Sequence, residues 1–387
     1  MKKWILLFII IMIIKRLVLK NYRNYDNLDI ELSSGINIFI GNNAQGKSNI
    51  LESIFVLALT KSYMNVKDQN LIKCGKNFSS ISGNCSKSGI NFKMTVSIKD
   101  DGKKLRLDSK EMKKYSDYVS ILKVLIFSPY NVNFIKDSPN VRRKNINMVI
   151  SQYSSGYMNL LQRFNVVLKK RNQYLKNVDF TKDYNHYYLN ILNEKYCSIV
   201  VKIFLLRKDF IEKINSYLSK IYFEIMGYKN LEIKYVSNIQ FFDNKEIMIN
   251  SFKKNLIDNF EKEKRYGSTM LGIHRDDFVF YLDGKELSIY GSQGQIRVAI
   301  LALKLAELIL FKERDNEYPI LLLDDIFSEL DIEKRNRLVK YILNDVQTII
   351  TTTDIECLDS ELISKAKVFS ICNGMVVDVR KKECKNE

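Results

Sequence analysis

A chain of 387 residues with 46% hydrophobic and 27% charged residues is long enough for two or three core-bearing units, and this composition excludes a disordered chain. The formal net charge of +17 favours a polyanionic partner such as a nucleic acid. Heavy use of Lys, Asn and Ile along the whole chain, typical of an AT-rich coding sequence, is an alternative origin of the same charge.

The first residues raise the question of a targeting segment. Residues 4–14 form an unbroken apolar run after two lysines, which is too short to span a bilayer and resembles a signal-peptide core. No small-residue cleavage site follows it. We expect translation to start at Met12 and residues 1–11 to be an upstream extension outside the fold. A membrane anchor is the alternative.

The cysteines and histidines bear on metal binding and on location. The chain has six cysteines, with no pair at C-x-x-C spacing, and two histidines, which argues against a zinc site. Reduced, mostly buried thiols are typical of intracellular proteins. The sequence therefore predicts a cytoplasmic protein without stable membrane association.

Up to about residue 140 the chain is rich in short strand patterns. Asp101-Gly102 is a hairpin turn signal within this region. The predicted strands are 17–25, 28–32, 35–40, 81–85, 91–98, 104–107 and 123–127.

A glycine-rich loop lies between an apolar strand pattern and a segment with apolar residues at helical spacing. It reads G-x-x-x-x-G-K-[ST], the loop that wraps the phosphates of a nucleotide. Two glycines free the backbone N–H groups to face phosphate, the lysine reaches the β and γ phosphates, and the serine hydroxyl ligates Mg²⁺. The sequence therefore predicts ATP and Mg²⁺ as cofactors. The predicted nucleotide-binding residues of this loop are Gly41, Asn42, Asn43, Ala44, Gln45, Gly46, Lys47, Ser48 and Asn49.

The middle of the chain has a different pattern. Residues 151–227 contain no proline and carry apolar residues at helical spacing, with a break at 177–185. This predicts an antiparallel pair of long helices. Strand patterns return at 231–236, 277–282, 319–323 and 347–351, and the last two are apolar runs typical of buried parallel strands.

These patterns predict an α/β fold in which a helical lobe is inserted into a nucleotide-binding head. The head combines a mixed sheet and helices around the phosphate loop and comprises residues 12–140 and 231–387. The inserted α-helical lobe is 141–230.

Two further motifs complete the predicted site. Asp324 and Asp325 follow a buried strand, so Asp324 would hold Mg²⁺ and Asp325 would orient the attacking water at the γ-phosphate. Ser292-Gln293-Gly294-Gln295 precedes a helix and presents N–H groups, a hydroxyl and the helix dipole to an anion. Because the chain already has one phosphate loop, we expect this second turn to address the nucleotide of another subunit.

Together with the loop 328–331 and the switch 351–354, these motifs resemble those of the RecF family, ABC-type ATPases of bacterial recombinational repair and replication. The resemblance covers nearly the whole chain from Met12. The segments that carry it include Asn21-Tyr22-Arg23-Asn24-Tyr25, Gly41 to Asn49, Phe127-Ser128-Pro129, Ser138-Pro139 with Arg142-Arg143, Gly272 to Asp277 and Ser292 to Gln295.

The resemblance implies a homodimer that forms with ATP, in which two subunits face head to tail across two nucleotides. In each site one subunit supplies the phosphate loop and the metal ligands, and the other reaches the γ-phosphate. The implied catalytic residues are Lys47, Asp325 and Ser292, the implied metal ligands Ser48 and Asp324, and the signature residues Ser292, Gln293 and Gly294. Asp331 and the switch 351–354 would complete the site.

The resemblance also implies DNA as a partner, either single-stranded or a gapped duplex. The function it implies is a weak, DNA-stimulated ATPase, with hydrolysis as a conformational switch, that works with RecR and RecO to help RecA onto gapped DNA. Candidate DNA contacts are Arg142, Arg143 and Lys61, although arginines at these positions could equally pair with carboxylates. Because Asp325 is shorter than the glutamate common in such sites, a scaffold ATPase of chromosome maintenance with little turnover is the alternative.

Overall fold

The computed structural model describes residues 10–132, 134–177, 186–227, 230–327, 331–342, 346–355 and 358–381. The chain forms two compact units. The first unit comprises the described residues of 1–133, 217–229 and 293–387, and the second those of 134–216 and 230–292.

These boundaries differ from the predicted insertion at 141–230. The second unit also includes residues 230–292, because strand Leu231–Val236 pairs along its whole length with strand Asp277–Leu282. The partner strand lies about forty residues farther along the chain, so no local pattern marks the boundary.

The strands are numbered in chain order. They are β1 Ile10–Ile11, β2 Ile13–Tyr22, β3 Tyr25–Glu31, β4 Ile36–Ile40, β5 Phe78–Lys87, β6 Ile90–Lys99, β7 Gly102–Leu107, β8 Lys110–Glu111, β9 Val124–Phe127, β10 Leu231–Val236, β11 Asp277–Leu282, β12 Lys285–Glu286, β13 Glu317–Tyr318, β14 Ile320–Asp324, β15 Thr348–Thr352, β16 Ala366–Cys372 and β17 Met375–Lys381.

The helices are numbered in the same way. They are α1 Lys47–Leu59, α2 Tyr115–Val119, α3 Pro129–Val132, α4 Pro139–Tyr153, α5 Tyr157–Asn177, α6 His186–Met226, α7 Lys245–Asp258, α8 Phe260–Tyr266, α9 Leu287–Tyr290, α10 Gln293–Asp315, α11 Ile332–Ile342 and α12 Ser360–Ser364, with a short 3₁₀ helix at Asp68–Leu71.

The first unit contains a six-stranded sheet in the order β17-β16-β4-β15-β14-β9. Its strands pair in parallel except for β17, which is antiparallel to β16. Strands β9, β14 and β15 are buried at every position, as a parallel sheet covered on both faces requires. The register places Asp324 opposite Thr351, and Thr351 opposite Phe39, so the carboxyl ends of β4, β14 and β15 meet at one edge. The loop that follows β4 begins at this edge.

A second six-stranded sheet of the first unit is antiparallel, in the order β3-β2-β5-β6-β7-β8. The predicted strand 17–25 proved to be two strands, because Asn21 and Arg23 both have a φ of 51° and turn the chain between Tyr22 and Tyr25. Residues 1–9 of the predicted extension lie outside the described residues. Ile10 and Ile11, which the prediction left outside the fold, form β1 and pair in parallel with β13.

The second unit combines a three-stranded sheet, β10-β11-β12, with helices α4, α5, α7 and α8 and most of α6. Helices α5 and α6 run antiparallel, as their side-chain contacts show: Tyr157 meets Arg207 near one end, and Arg171 meets Asn193 toward the other. The predicted break at 177–185 agrees with the end of α5 at Asn177, while residues 178–185 lie outside the described part of the chain. Within the described ranges, none of the helices combines the length and the apolar character that crossing a bilayer requires.

Candidate functional site

The glycine-rich loop lies between β4 and α1, at the sheet edge described above. Gly46 has a φ of 108°, and a Cβ atom there would lie 2.4 Å from Asn24 Nδ2. A Cβ atom at Gly41 would lie 2.4 Å from the carbonyl oxygen of Ile371. Because both positions are closed to a side chain, the two glycines of the motif are sterically required in this fold.

Two turns from other parts of the chain hold the loop in place. From the β2–β3 turn, Asn24 Nδ2 donates to the carbonyl of Gln45 at 3.1 Å and Tyr25 OH to the carbonyl of Gly46 at 3.0 Å. From the β16–β17 turn, the backbone N–H groups of Asn373 and Gly374 donate to Gln45 Oε1 and Gln45 O at 2.5 and 3.1 Å. The Asn-Gly dipeptide of the second turn is a hairpin signal that the sequence analysis missed.

Lys47 begins α1 and folds over the loop. Its Nζ donates to the carbonyls of Gly41 and Asn42 at 2.6 and 2.8 Å. Burial lowers the pKa of the ammonium, and the neighbouring carboxylates of Asp325 and Asp324 act in the opposite direction. The side chain is therefore bonded to neutral carbonyl groups, which an anionic ligand in the loop can replace.

Asp324 ends β14 and contacts the phosphate loop directly. Ser48 Oγ and Thr351 Oγ1 each donate to its Oδ1 at 2.8 Å, and Tyr63 OH donates to its Oδ2 at 2.9 Å. Ser48 and Asp324 are 276 positions apart in the sequence, and the pairing of β4, β15 and β14 brings them together. The sequence connected these two predicted metal ligands only through their motifs, and the fold brings them into contact.

The residues present fit a magnesium ion. A hydroxyl and a carboxylate in contact form an oxygen-only donor set, and Mg²⁺ in nucleotide sites is usually held by one or two carboxylates together with substrate phosphates. Among the described residues there is no group of three or more His, Cys, Asp or Glu side chains that could hold a metal ion. Such a group is not needed where the nucleotide itself supplies oxygen ligands.

Asp325, the residue after Asp324, has a left-handed backbone conformation. Its φ is 52°, and its N–H donates to Thr351 O and Thr351 Oγ1, each at 3.1 Å. Its carboxylate, like that of Asp324, opposes the lowering of the Lys47 pKa that burial causes. The two consecutive acids differ in position: Asp324 ends β14 and bonds to Ser48, whereas Asp325 leaves the strand in the left-handed conformation.

The sequence analysis did not foresee a network around Glu52, which is completely buried in α1. Arg23 forms two 2.7 Å hydrogen bonds with its carboxylate, Tyr22 OH donates at 2.9 Å and Ser62 Oγ at 2.5 Å. Ser62 precedes Tyr63, so the network fixes the loop whose tyrosine holds Asp324. An acid within the mostly apolar stretch 50–59 of a helix was the available signal, because such a group needs a cationic partner.

The predicted signature residues Ser292, Gln293 and Gly294 are all exposed, and α10 begins at Gln293. Among the described residues, and apart from its chain neighbours and its own helix backbone, no atom lies within 4 Å of a Cβ atom built at Gly294. The hydrogen bonds that connect Ser48 with Asp324 do not involve this turn, which lies at the start of a 23-residue helix.

Of the remaining predicted site residues, Asp331 is exposed and bonds to Lys334 Nζ at 2.5 Å, which lowers the pKa of its carboxyl. Residues 328–330 of the same loop lie outside the described part of the chain. In the switch, Thr351 bonds to Asp324, whereas Thr352 Oγ1 bonds to the backbone of Asp354.

The three candidate DNA contacts have different environments. Arg142 is buried and forms a two-pronged ion pair with Asp277, with Nε–Oδ1 and Nη2–Oδ2 distances of 2.7 and 2.6 Å. This is the carboxylate pairing that the sequence left as an alternative, and the guanidinium of Arg142 is bonded within the second unit. Arg143 is half-buried and donates to the carbonyl of Asp276 at 2.6 Å, and Lys61 is exposed.

Comparisons with known proteins agree with this architecture. Residues 13–374 match the RecF/RecN/SMC N terminal domain. The chain is 41% identical over 370 residues to the "DNA replication and repair protein RecF" of Clostridium botulinum (strain Eklund 17B / Type B), which covers 95% of this chain and 100% of that relative.

Solved structures give the same result. The "Structure of the recombination mediator protein RecF-ATP in RecFOR pathway" has a TM-score of 0.88 and 31% identity, and the match covers 96% of this chain and 98% of that one. An Smc head domain from Pyrococcus furiosus, at a TM-score of 0.52 and 17% identity, shares the fold, with coverage of 94% and 95%. The predicted α/β ABC-type ATPase head with a helical lobe is confirmed.

Proposed function

We propose a function for this chain that starts from one established point: the chain belongs to the RecF family of DNA replication and repair proteins. On this premise it binds ATP with Mg²⁺, dimerises on DNA while ATP is bound, and supports the repair of replication gaps. The ATP-bound state of a relative, recorded in the name of its structure, supports the nucleotide part of this proposal.

One observation carries the proposal: the 2.8 Å bond between Ser48 Oγ and Asp324 Oδ1. It places the hydroxyl of the phosphate loop against the carboxylate of the acid strand, the pair that would hold Mg²⁺ beside the nucleotide. A bound magnesium ion would supply positive charge that neutralises the β and γ phosphates. Lys47 would exchange its bonds to the loop carbonyls for bonds to phosphate, and Gly41 to Asn49 would surround the phosphate chain.

The exposed signature turn supports the dimer. Ser292, Gln293 and Gly294 are exposed at the start of α10, where the N–H groups of the first turn and the helix dipole favour an anion. Each subunit would present this turn to the γ-phosphate held by the other subunit. Asp325 would orient the attacking water, with Asp331 and the switch 351–354 completing the site.

Hydrolysis would then act as a switch. The γ-phosphate is the group that both subunits bind, so its loss removes the contact that favours the closed dimer. The turnover would be slow and stimulated by DNA. The closed dimer would hold DNA, with Lys61 and Arg143 as candidate contacts, and would act with RecR and RecO in helping RecA onto gapped DNA.

A binding measurement tests the nucleotide part. Lys47→Ala should weaken the equilibrium binding of a fluorescent ATP analogue in Mg²⁺ by at least about 100-fold, because it removes the phosphate-loop cation. Lys67→Ala, which removes an exposed lysine of the same unit, is the matched control and should bind as the parent protein does. Equal affinities of the parent and the Lys47→Ala variant would contradict the assignment of the loop.

A further inference from the structure

The segment 267–277 of the second unit is anchored from one side by Arg171, whose side chain is completely buried. Its guanidinium donates to Glu263 Oε2 at 2.6 Å, to Thr269 Oγ1 at 2.7 Å and to Asn193 Oδ1 at 2.8 Å. All three nitrogen atoms of this guanidinium therefore donate hydrogen bonds within the unit. These bonds connect the start of the segment to α5, α6 and α8.

A second buried arginine anchors the end of the same segment. Arg207 donates to Asp276 Oδ2 at 2.7 Å, to the carbonyl of Ile273 at 2.8 Å and to Tyr157 OH at 3.0 Å. Asp276 is itself fully buried and also accepts from Ser237 Oγ at 2.7 Å. The negative charge of Asp276 is therefore neutralised inside the protein by Arg207.

The backbone between the two anchors is closely packed and hydrogen-bonded to neighbouring side chains. Gly272 has a φ of 125°, and a Cβ atom there would lie 2.1 Å from Tyr196 OH. Tyr196 OH donates to the carbonyl of Leu271 at 2.6 Å, and Asn238 Oδ1 accepts from the N–H of Gly272 at 2.9 Å. A segment with so many internal bonds presents its remaining side chains in a fixed arrangement.

Two guanidinium groups are left at this surface. Arg275 is exposed and Arg143 half-buried, and within the described residues neither forms an ion pair with a carboxylate. The neighbouring acid Asp277 is bonded to Arg142 by both oxygens. The local cations thus outnumber the acids available to them.

The two cations also lie close enough to repel each other. The pKa of Arg143 is lowered first by burial and then by the like charges of Arg207 and Arg275, against the attraction of Asp276 and Asp277. Folding therefore holds together like charges whose repulsion an anion would relieve. Since the surrounding bonds fix Arg143 and the backbone of Arg275, an anion would bind with a small ordering cost.

We propose that Arg143 and Arg275 form a phosphate-binding surface on the second unit that contacts the sugar-phosphate backbone of DNA. The planar fork of an arginine matches two phosphate oxygens, and contacts to phosphate do not depend on base sequence. The net charge of +17 favours the same class of partner. This proposal rests on the proposed function, because it names residues through which the chain would contact DNA.

The neighbouring histidine does not contribute charge at neutral pH. Burial lowers the pKa of His274 to about 4, so the ring is neutral between pH 6 and 8 by the ordinary titration relation. His274 should therefore not make the binding of DNA at this surface depend on pH across that range.

The test compares Arg275→Gln with Arg265→Gln, which removes an exposed arginine of the same unit. The binding of a fluorescent DNA duplex with a single-stranded gap is measured over a series of salt concentrations, with and without Mg·ATP. Loss of one phosphate contact should weaken binding about eightfold at ~0.1 M salt and flatten the salt slope by about one per bound subunit. Arg265→Gln should change the affinity by less than about twofold, and Arg275→Lys should recover part of the loss.

Other outcomes overturn the proposal. If Arg275→Gln and Arg265→Gln bind DNA equally, Arg275 contacts no phosphate, and the surface could only serve another partner, such as an acidic protein. If Arg275→Gln weakens the binding of inorganic phosphate or ATP but leaves the binding of DNA unchanged, the ligand is a free phosphate compound. A parent protein that binds ATP but no DNA would instead contradict the proposed function.

Discussion

The nucleotide site and the arginine networks of the second unit both contain buried charge, but they use it differently. At the nucleotide site, Lys47 bonds to loop carbonyls and Asp324 to three hydroxyl groups, and within the described residues neither joins an ion pair. In the second unit, Arg207 pairs with Asp276 and Arg142 with Asp277. Charge bonded to neutral groups stays available to a ligand, whereas charge bonded to an opposite charge defines the fold.

The largest expected effect comes from breaking the fold-defining charge. Arg207→Met should lower the free energy of unfolding by about 3–5 kcal/mol, because it leaves Asp276 buried without its cation. Urea denaturation followed by circular dichroism measures this loss. At low temperature, where the variant stays folded, its affinity for Mg·ATP should match that of the parent. A loss of nucleotide affinity without a loss of stability would contradict the structural role of this arginine.

The opposite result is expected for the ligand-binding charge. Asp324→Asn should weaken the equilibrium binding of Mg·ATP about 100-fold, since it removes the carboxylate proposed to hold Mg²⁺, and should change the free energy of unfolding by less than about 1 kcal/mol. Binding of ATP in EDTA is the control, because the variant and the parent should then differ little. If Asp324→Asn unfolds as easily as Arg207→Met, the contrast between the two regions fails.

Parts of the fold around the site could be predicted from local patterns. The phosphate-loop motif is eight consecutive residues, Gly41 to Ser48, and the strand predicted before it and the helix predicted after it are β4 and α1. The apolar run that ends at Asp324 was predicted as a buried parallel strand and is β14. The roles of these residues in binding nucleotide and Mg²⁺ stay predictions. Arg142 could not be assigned, because its partner Asp277 is 135 positions away and either role fits an arginine.

The hydrogen bonds that hold the site in place could not be predicted from the sequence either. Tyr63 holds Asp324 across 261 positions, and the hairpin turn at Asn373 bonds to Gln45 across 328 positions. The second unit extends beyond residue 230 for the same physical reason, since β10 pairs with a strand far along the chain. Contacts between distant segments depend on the packed fold and leave no local pattern.

A smaller effect tests whether the tyrosine supports the metal site. Tyr63→Phe should raise the Mg²⁺ concentration needed for half-maximal ATP binding about tenfold, because Asp324 loses the donor that orients its second oxygen. Tyr118→Phe, a change of another buried tyrosine in the same unit, is the control and should leave this concentration unchanged. An unchanged magnesium requirement in Tyr63→Phe would show that the hydroxyl only packs against the strand.

The smallest expected effect concerns acid sensitivity of the second unit. Unfolded His274 takes up a proton near its ordinary pKa of 6.5, whereas the folded residue stays neutral down to about 4. Its contribution to stability is therefore present above the first value and falls as the pH drops toward the second. Between pH 7 and about pH 5.5 the parent should lose about 1 kcal/mol more than His274→Gln in urea denaturation. Equal losses would show that other groups dominate.

The central claim is that two copies of the chain bind one γ-phosphate through different turns. The most direct test is the mass of Asp325→Asn, measured by light scattering in saturating Mg·ATP and gapped DNA, where slow hydrolysis should preserve the closed state. We predict a dimer that disappears when Ser292→Ala is added to the same chain, although ATP still binds. A monomer in Asp325→Asn, or a dimer that persists with Ser292→Ala, would contradict the account.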